Sequence, residues 1–342
     1  MKKIRLGKTE LMVSKTSFGA LPIQRISTED AAKLVRRAFD AGINYIDTAN
    51  GYTDSEKKLG LALHDVPREE LVLSTKSHAH TKAEAIAHIE NSLKMLKTDY
   101  VDLFQFHNPA ELPNPDDPDG AYAGVLEMQK KGYVRHIGIT NHRLKVAHEA
   151  IDSGNFETLQ FPFCYLATDL DLELVEKCRQ ADMGFIAMKG LSGGLLNNAE
   201  ACYCFMQQYP HVVPIWGIQH EWELDQWLEL AARDPQMTPE MQAVIDKDRK
   251  ELVGNFCRSC GYCLPCTAGI DIPQAARMSA LLRRSPYKPY MSDEWYRKMH
   301  IVEDCVHCDL CKSRCPYGLD TPELLKHMLN DYDEFYKEHH ND

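Results

Sequence analysis

Eight short runs of apolar and β-branched residues recur along the first two-thirds of the chain, each followed by a stretch whose apolar positions return with helical spacing. The strand-like runs are Thr16–Leu21, Ile43–Ala49, Leu71–Lys76, Tyr100–His107, Val134–Thr140, Thr158–Phe163, Gly184–Gly190 and Val212–Gly217. Alternation of this kind predicts repeated βα units around a parallel sheet, and eight units predict a closed barrel. The helices carry start and stop signals: Thr81 followed by Glu84 reads as a capping box opening Lys82–Leu96, and Gly42 and Gly132 read as stops. Before the first run, Ile4–Ser14 reads as a hairpin turning at Gly7 and Lys8, placed to plug the lower end of the barrel, or alternatively as a loose arm.

Chemistry in such barrels gathers at the C-terminal ends of the strands. Asp47 closes the second run, Tyr52 follows in its loop, Lys76 closes the third and His107 the fourth. Each of these residues alone has a structural reading, but neighbouring strands aim all four at one opening. A tyrosine hydroxyl, with an ordinary pKa of about 10, exchanges protons near neutrality only when a nearby cation favours its anion. Lys76 supplies that cation, Asp47 holds Lys76 charged, and a neutral His107 can orient a substrate carbonyl beside the phenol.

The segments INYIDTANGYTDSEKKLG from Ile43, LSTK from Leu73, DYVDLFQFH from Asp99 and HIGITNH from His136 resemble the signature segments of the aldo-keto reductases, and the likeness runs from about Lys3 to Leu230. The resemblance implies a (β/α)8 TIM barrel with Asp47, Tyr52, Lys76 and His107 as catalytic tetrad and Tyr52 as general acid or base. It also implies hydride transfer between NADPH or NADH and an aldehyde or ketone, without the Gly-x-Gly-x-x-Gly fingerprint of other dinucleotide folds. Asn141 and Gln160 would then face the nicotinamide carboxamide. Gly19, Met188, Lys189, Gly190, Gly193, Gly194 and Gly217 would line the rest of the nucleotide, the glycines of KGLSGG letting backbone amides approach a phosphate. Met188 stands where the family often carries a stacking tyrosine. A second departure follows the last strand, where GIQHEWELDQW brings Trp222 and Trp227 but no arginine or lysine to pair with a phosphate, leaving NADPH against NADH open.

Cysteine usage adds a second part. Of 12 cysteines, eight fall in two bursts: Cys257, Cys260, Cys263 and Cys266, then Cys305, Cys308, Cys311 and Cys315 before Pro316. The second burst has the C-x2-C-x2-C-x3-C-P spacing of iron–sulfur proteins, whereas a zinc site would leave the third and fourth cysteine of each burst surplus. The bursts, with GIDIP after the first and PYGLDTPELL after the second, resemble a ferredoxin-like module. In two-cluster ferredoxins the fourth thiolate of each run serves the other cluster. That arrangement implies one [4Fe-4S] cluster on Cys257, Cys260, Cys263 and Cys315 and a second on Cys266, Cys305, Cys308 and Cys311. The organisation expected is a barrel over residues 1–235, a helical linker over 236–255 and a small, mostly helical ferredoxin-like domain over 256–342.

A formal net charge of −11 in 342 residues disfavours nucleic acid and anionic membrane surfaces as partners. No apolar run has the composition of a bilayer span, and the first residues lack a signal-peptide core, so a cytoplasmic protein without structural disulfides is expected. The reading reached is an oxidoreductase acting on a neutral carbonyl or polyol with NAD(P)H, coupled to one-electron transfer through the clusters, with ferredoxin or flavodoxin as a candidate donor. Three alternatives stand beside it: a cluster-fed reductase that needs no nicotinamide, a non-catalytic electron-transfer or regulatory subunit, and clusters that merely staple the tail.

Overall fold

The structure, a computed structural model, describes residues 1–252, 256–284 and 286–340. It opens with an antiparallel ribbon of β1 (Lys3–Arg5) and β2 (Met12–Ser14). Eight parallel strands follow: β3 (Ser17–Gly19), β4 (Tyr45–Asp47), β5 (Val72–Ser77), β6 (Val101–His107), β7 (Val134–Thr140), β8 (Thr158–Pro162), β9 (Gly184–Met188) and β10 (Val212–Gly217). They pair in chain order, and β10 pairs with both β9 and β3, which closes the (β/α)8 barrel. Seven of the strands lie within the runs expected to form them, and β5 extends one residue past its run, to Ser77.

The surrounding helices are α1 (Thr28–Asp40), α2 (Ser55–Ala62), α3 (Lys82–Leu96), α4 (Ala121–Lys130), α5 (Leu144–Ser153), α6 (Asp169–Gln180), α7 (Ala199–Gln207) and α8 (Glu221–Arg233). Their registers follow from the sequence signals. Ala31, Leu34, Val35 and Ala38 recur at helical spacing and bury one face of α1. The Thr81 hydroxyl accepts from the Glu84 amide at 3.2 Å while the Glu84 carboxylate accepts from the Thr81 amide at 3.1 Å, so the capping box starts α3 as expected. Gly42 at φ +95° and Gly132 at φ +82° turn the chain away after α1 and α4.

The hairpin is a plug rather than a loose arm. Leu6 and Val13 are both 0% exposed and pack on Tyr45, Val72, Leu103, Ile186 and Val213 near the starts of the strands. Burying one such side chain is worth about 1.5–3 kcal/mol. Gly7 allows the close approach: at φ +50°, a Cβ there would lie 2.3 Å from the Gly184 nitrogen.

The chain divides into two compact units, Met1–Gly190 with Ala199–Met241, and Leu191–Asn198 with Gln242–Asp342. The second unit carries the end of α9 (Pro239–Leu252) and the helices α10 (Ile272–Ala275), α11 (Met278–Arg284), α12 (Asp293–His300), α13 (Leu310–Arg314) and α14 (Thr321–His339). Its core gathers Leu195, Ile270, Ile272, Met278, Leu282, Leu325 and Tyr332, whose hydroxyl donates to the Tyr290 carbonyl at 2.7 Å. The linker expected over 236–255 contains α9, and its last three positions, 253–255, lie outside the described residues. Among the described residues no helix is long and apolar enough to cross a membrane.

Candidate active site and cluster loops

Parallel pairing sets Asp47 opposite Ser74 and Lys76 opposite Gln105, so β4, β5 and β6 bring Asp47, Lys76 and His107 to neighbouring strand ends. The Lys76 ammonium donates to Asp47 Oδ2 at 2.5 Å and to the Thr48 carbonyl at 2.7 Å. Tyr52 is folded back by a short loop in which the Asn50 amide donates to the Lys76 carbonyl and the Tyr52 amide to the Ala49 carbonyl. Its ring centre then lies 5.1 Å from Lys76 Nζ and 5.9 Å from the His107 ring, the two rings edge to face. All four expected catalytic residues are thus assembled at one opening.

Their protonation follows from burial and charge. Lys76 is 1% exposed and Asp47 2%. Burial works to lower the Lys76 pKa, but the Asp47 charge, Tyr52 and their hydrogen bonds outweigh it and hold the ammonium above its ordinary value. Tyr52 is raised above its ordinary value: burial leads, Asp47 adds to it, and Lys76 opposes both by charge and hydrogen bond. Lys76 does draw the phenol toward its anion as expected, but burial outweighs it and Tyr52 keeps its proton. His107 is pushed down to about 2 by burial, with Lys76, His78 and His142 adding to the effect, so its imidazole is neutral as expected. Its Nδ1 has no hydrogen-bond partner among the described residues.

Sequence reasoning passed over the residues that hold Asp47. Ser74 donates to Asp47 Oδ1 at 2.7 Å, and the Gln105 amide donates to the same oxygen at 3.2 Å. Ser74 stands two residues before Lys76 and Gln105 two before His107, so strand alternation puts each on the same face as Lys76 or His107, a signal present in the pattern. His78 was also missed. It stacks on His107 with ring centres 4.1 Å apart and donates to the His107 backbone, which fixes the His107 ring from the other side.

The residues expected around a nucleotide divide between the units. Asn141 is fully buried; its Oδ1 accepts from the His142 and Arg143 amides, and its Nδ2 donates to the Pro109 carbonyl at 2.9 Å. Gln160, 1% exposed, accepts from Gln105 at 2.8 Å and points its amide nitrogen at Asp47, 3.5 Å away. Asn141 Oδ1 already accepts two hydrogen bonds and Gln160 Oε1 one, so the pair retains its remaining amide hydrogens and a single free lone pair, on Gln160. Gly190 serves packing, since a Cβ there would meet Trp216 at 2.4 Å, and a Cβ at Gly19 would lie 3.1 Å from the Trp216 carbonyl, a looser contact. Met188 packs beside the hairpin core, Lys189 turns the chain at φ +57°, and Gly217 abuts Pro22. Gly193 and Gly194 belong to the second unit, where the Gly193 carbonyl accepts from Arg277 at 2.9 Å. Trp227 does not face a ligand surface. It is 2% exposed and stacks on Trp216 at 3.9 Å, while Trp222 is 64% exposed on α8.

The cysteines converge as two sets. One pocket is lined by Cys257, Cys260, Cys263 and Cys315; another by Cys266, Cys305, Cys308 and Cys311, and Cys263 lines this one too. The two loops share a backbone pattern. Positive φ falls at Ser259 and Gly261 in the first and at His307 and Asp309 in the second, then at Gly269 and Gly318 before the two G-x-D-x-P turns. Alternation of this kind turns successive amides toward one point, the concavity used by many iron–sulfur sites. One amide is already placed, from Ser259 to the Cys257 sulfur at 3.3 Å. No three His, Cys, Asp or Glu side chains among the described residues converge as a single metal ion requires. A cubane spreads its four thiolates around a volume, and the two pockets have that form, so the residues fit the clusters.

Residues 15–240 match the model of the aldo/keto reductase family, and residues 256–320 match that of a 4Fe-4S dicluster domain. Among curated proteins the chain is 25% identical over 240 residues to an aldo-keto reductase of Alternaria alternata, covering 56% of this chain and 65% of that one. It is 31% identical over 211 residues to an L-galactose dehydrogenase of Arabidopsis thaliana, covering 56% and 66%. The chain thus spans about two-thirds of the length of these relatives. Among solved structures, a holo aldo-keto reductase from Bacillus halodurans superposes with TM-score 0.62 at 23% identity, over 72% of this chain and 96% of that one. An aldo-keto reductase from Klebsiella pneumoniae in complex with NADPH gives TM-score 0.62 at 21% identity, over 72% and 94%. At these identities the superpositions show the fold.

Proposed function

Because the chain belongs to the aldo/keto reductase family and carries a 4Fe-4S dicluster domain after its barrel, we propose that it interconverts a small neutral carbonyl compound and its alcohol with NAD(P)H, in a protein that also moves single electrons through two [4Fe-4S] clusters. The observation that carries the first half is the Lys76–Asp47 pair at 2.5 Å behind the Tyr52 ring, with neutral His107 edge-on to that ring.

In the reducing direction Tyr52 gives its proton to the carbonyl oxygen. Lys76 stabilises the phenolate that remains, and Asp47, gripped by Ser74 and Gln105, keeps Lys76 charged and in place. His107 supplies a neutral ring nitrogen to orient the substrate oxygen, held in its plane by His78. A bound nicotinamide would supply the hydride, and Asn141 and Gln160 are the residues that would hold its carboxamide, through their remaining amide hydrogens. Each bound cluster supplies a one-electron couple, held by the cysteine sets above within a domain taken as 256–342, with the barrel taken as 1–235. A ferredoxin or flavodoxin is the electron partner that suits such couples.

The buried, committed amides of Asn141 and Gln160 and the absence of arginine or lysine over Gly217–Trp227 favour a second reading, in which the clusters feed the substrate site without nicotinamide. An anaerobic titration of the reconstituted protein with NADPH and then NADH separates the two. Cluster bleaching and reduced-cluster EPR signals on adding either nucleotide support the first. If dithionite reduces the clusters and neither nucleotide binds, the second reading replaces it.

A further inference from the structure

Arg277 lies between α10 and α11 and is only 6% exposed, yet no carboxylate pairs with it among the described residues. Its Nη2 donates to the Gly193 carbonyl at 2.9 Å, and its Nε is buried without a hydrogen-bond partner. The arginines that follow in α11 are satisfied: Arg283 by Asp331 at 2.6 Å, Arg284 by Asp248 at 2.8 Å. A guanidinium cannot shed its charge in a protein, so burying one without an anion is costly, and the fold retains this one.

Its surroundings point to the missing anion. Ala276, the preceding residue, lines the pocket of Cys257, Cys260, Cys263 and Cys315, and Arg258 lines the same pocket with its guanidinium 4.4 Å over the Tyr317 ring. Ala276, Leu319 and Leu324 line both that pocket and the cavity lined by Arg277, so only this thin wall separates the guanidinium from the cysteines. The other pocket has the opposite sign. Its lining includes Asp309 and no arginine or lysine, and nearby Lys312 is tied to Asp320 at 2.6 Å.

We propose that Arg277 is the buried counter-ion of the cluster on Cys257, Cys260, Cys263 and Cys315, and that it raises the reduction potential of that cluster selectively. The inference rests on the two-cluster reading above. When one electron enters from an external reductant, the cluster becomes more negative by one charge, with no bond made or broken and no proton taken up. A fixed buried cation stabilises the reduced form more than the oxidised form, and the effect is larger where water does not screen it. Gly193 is part of the device. Its carbonyl orients the guanidinium, and a Cβ at that position would come within 3.0 Å of Arg277 Nη1.

The test is an EPR-monitored potentiometric titration of the full-length, anaerobically reconstituted protein, with iron and sulfide assayed first. In Arg277→Gln one couple should fall by at least about tenfold in its one-electron equilibrium, about 59 mV, while the other stays within that margin. Cys308→Ser, which alters an exposed ligand of the other cluster, identifies which signal is which. Arg277→Lys keeps the charge and should keep the couple near its wild-type value. Both couples moving together, or neither moving, overturns the inference while leaving two clusters in place. Should Arg277→Gln lose its clusters, Arg277→Lys decides, since a tenfold fall with the charge retained refutes the counter-ion. A wild-type protein holding zinc, or fewer than two clusters, overturns the cluster reading itself and the inference with it.

Discussion

Lys76 Nζ meets Asp47 Oδ2 at 2.5 Å, almost out of reach of water, so an intact ion pair stands behind the phenol of Tyr52. Removing the cation has two separable effects. Lys76→Met should lower carbonyl turnover by about 10²–10⁴-fold, because the phenol loses the charge that stabilises its anion. It should also cost about 3–5 kcal/mol of stability, since Asp47 is left buried without a partner. Turnover assays and thermal melts on the same variant measure both. A variant that melts as wild type would show that Asp47 does not depend on Lys76.

The pH profile follows from the directions of the shifts. Tyr52, raised by burial above its ordinary pKa of about 10, stays protonated through neutral and mildly alkaline solution. The rate of carbonyl reduction should therefore be level across that range and fall only above it. His107, neutral down to about 2, should add no step near the usual histidine range. For stability the sign is that of a raised base: the folded pKa of Lys76 lies above the unfolded one, so its contribution is complete below about 10.4 and is lost as pH climbs through the folded value. An inflection in kcat/KM near pH 6.5 would speak against a neutral His107.

Gly190 leaves room for the indole of Trp216, which in turn stacks on Trp227. Gly190→Ala would drive a methyl to 2.4 Å from that ring. The expected cost is about 1–3 kcal/mol of overpacking, read as a lower Tm and an altered near-ultraviolet tryptophan signal. An unchanged signal would mean that the ring moves aside freely.

The crossing of the fourth ligands is checked by pairs of substitutions. Cys257→Ser and Cys315→Ser, distant in sequence, should disturb the same EPR signal. Cys266→Ser should disturb the other, although Cys266 is three residues from Cys263. Iron content should drop from about eight towards four per chain in each variant. Were Cys257→Ser and Cys266→Ser to strike the same cluster, each burst would be serving its own.

What could be read from the sequence was what repeats. Strand alternation and helical periodicity are local, so the eight strands, the Thr81 capping box and the strand-end positions of Asp47, Lys76 and His107 were all legible. The cysteine spacing was legible for the same reason, because a tight loop must present its thiolates at fixed intervals. The balance of effects on Tyr52 was not, since burial against Lys76 is settled only when the loop has folded back. Trp227 stood out in the sequence only as a departure from the expected polar stretch, and its stacking on Trp216 is a product of how α8 packs. Gly193 looked like a phosphate cradle, and only tertiary packing put Arg277 against it from 84 positions away.

The hairpin at the start of the chain has a mechanical meaning. With Leu6 and Val13 packed against residues of β4, β5, β6, β9 and β10, strands far apart in the chain share one buttress. The hairpin is in that sense a keystone: a defect in it is felt by all of those staves at once, however well each is paired with its neighbours.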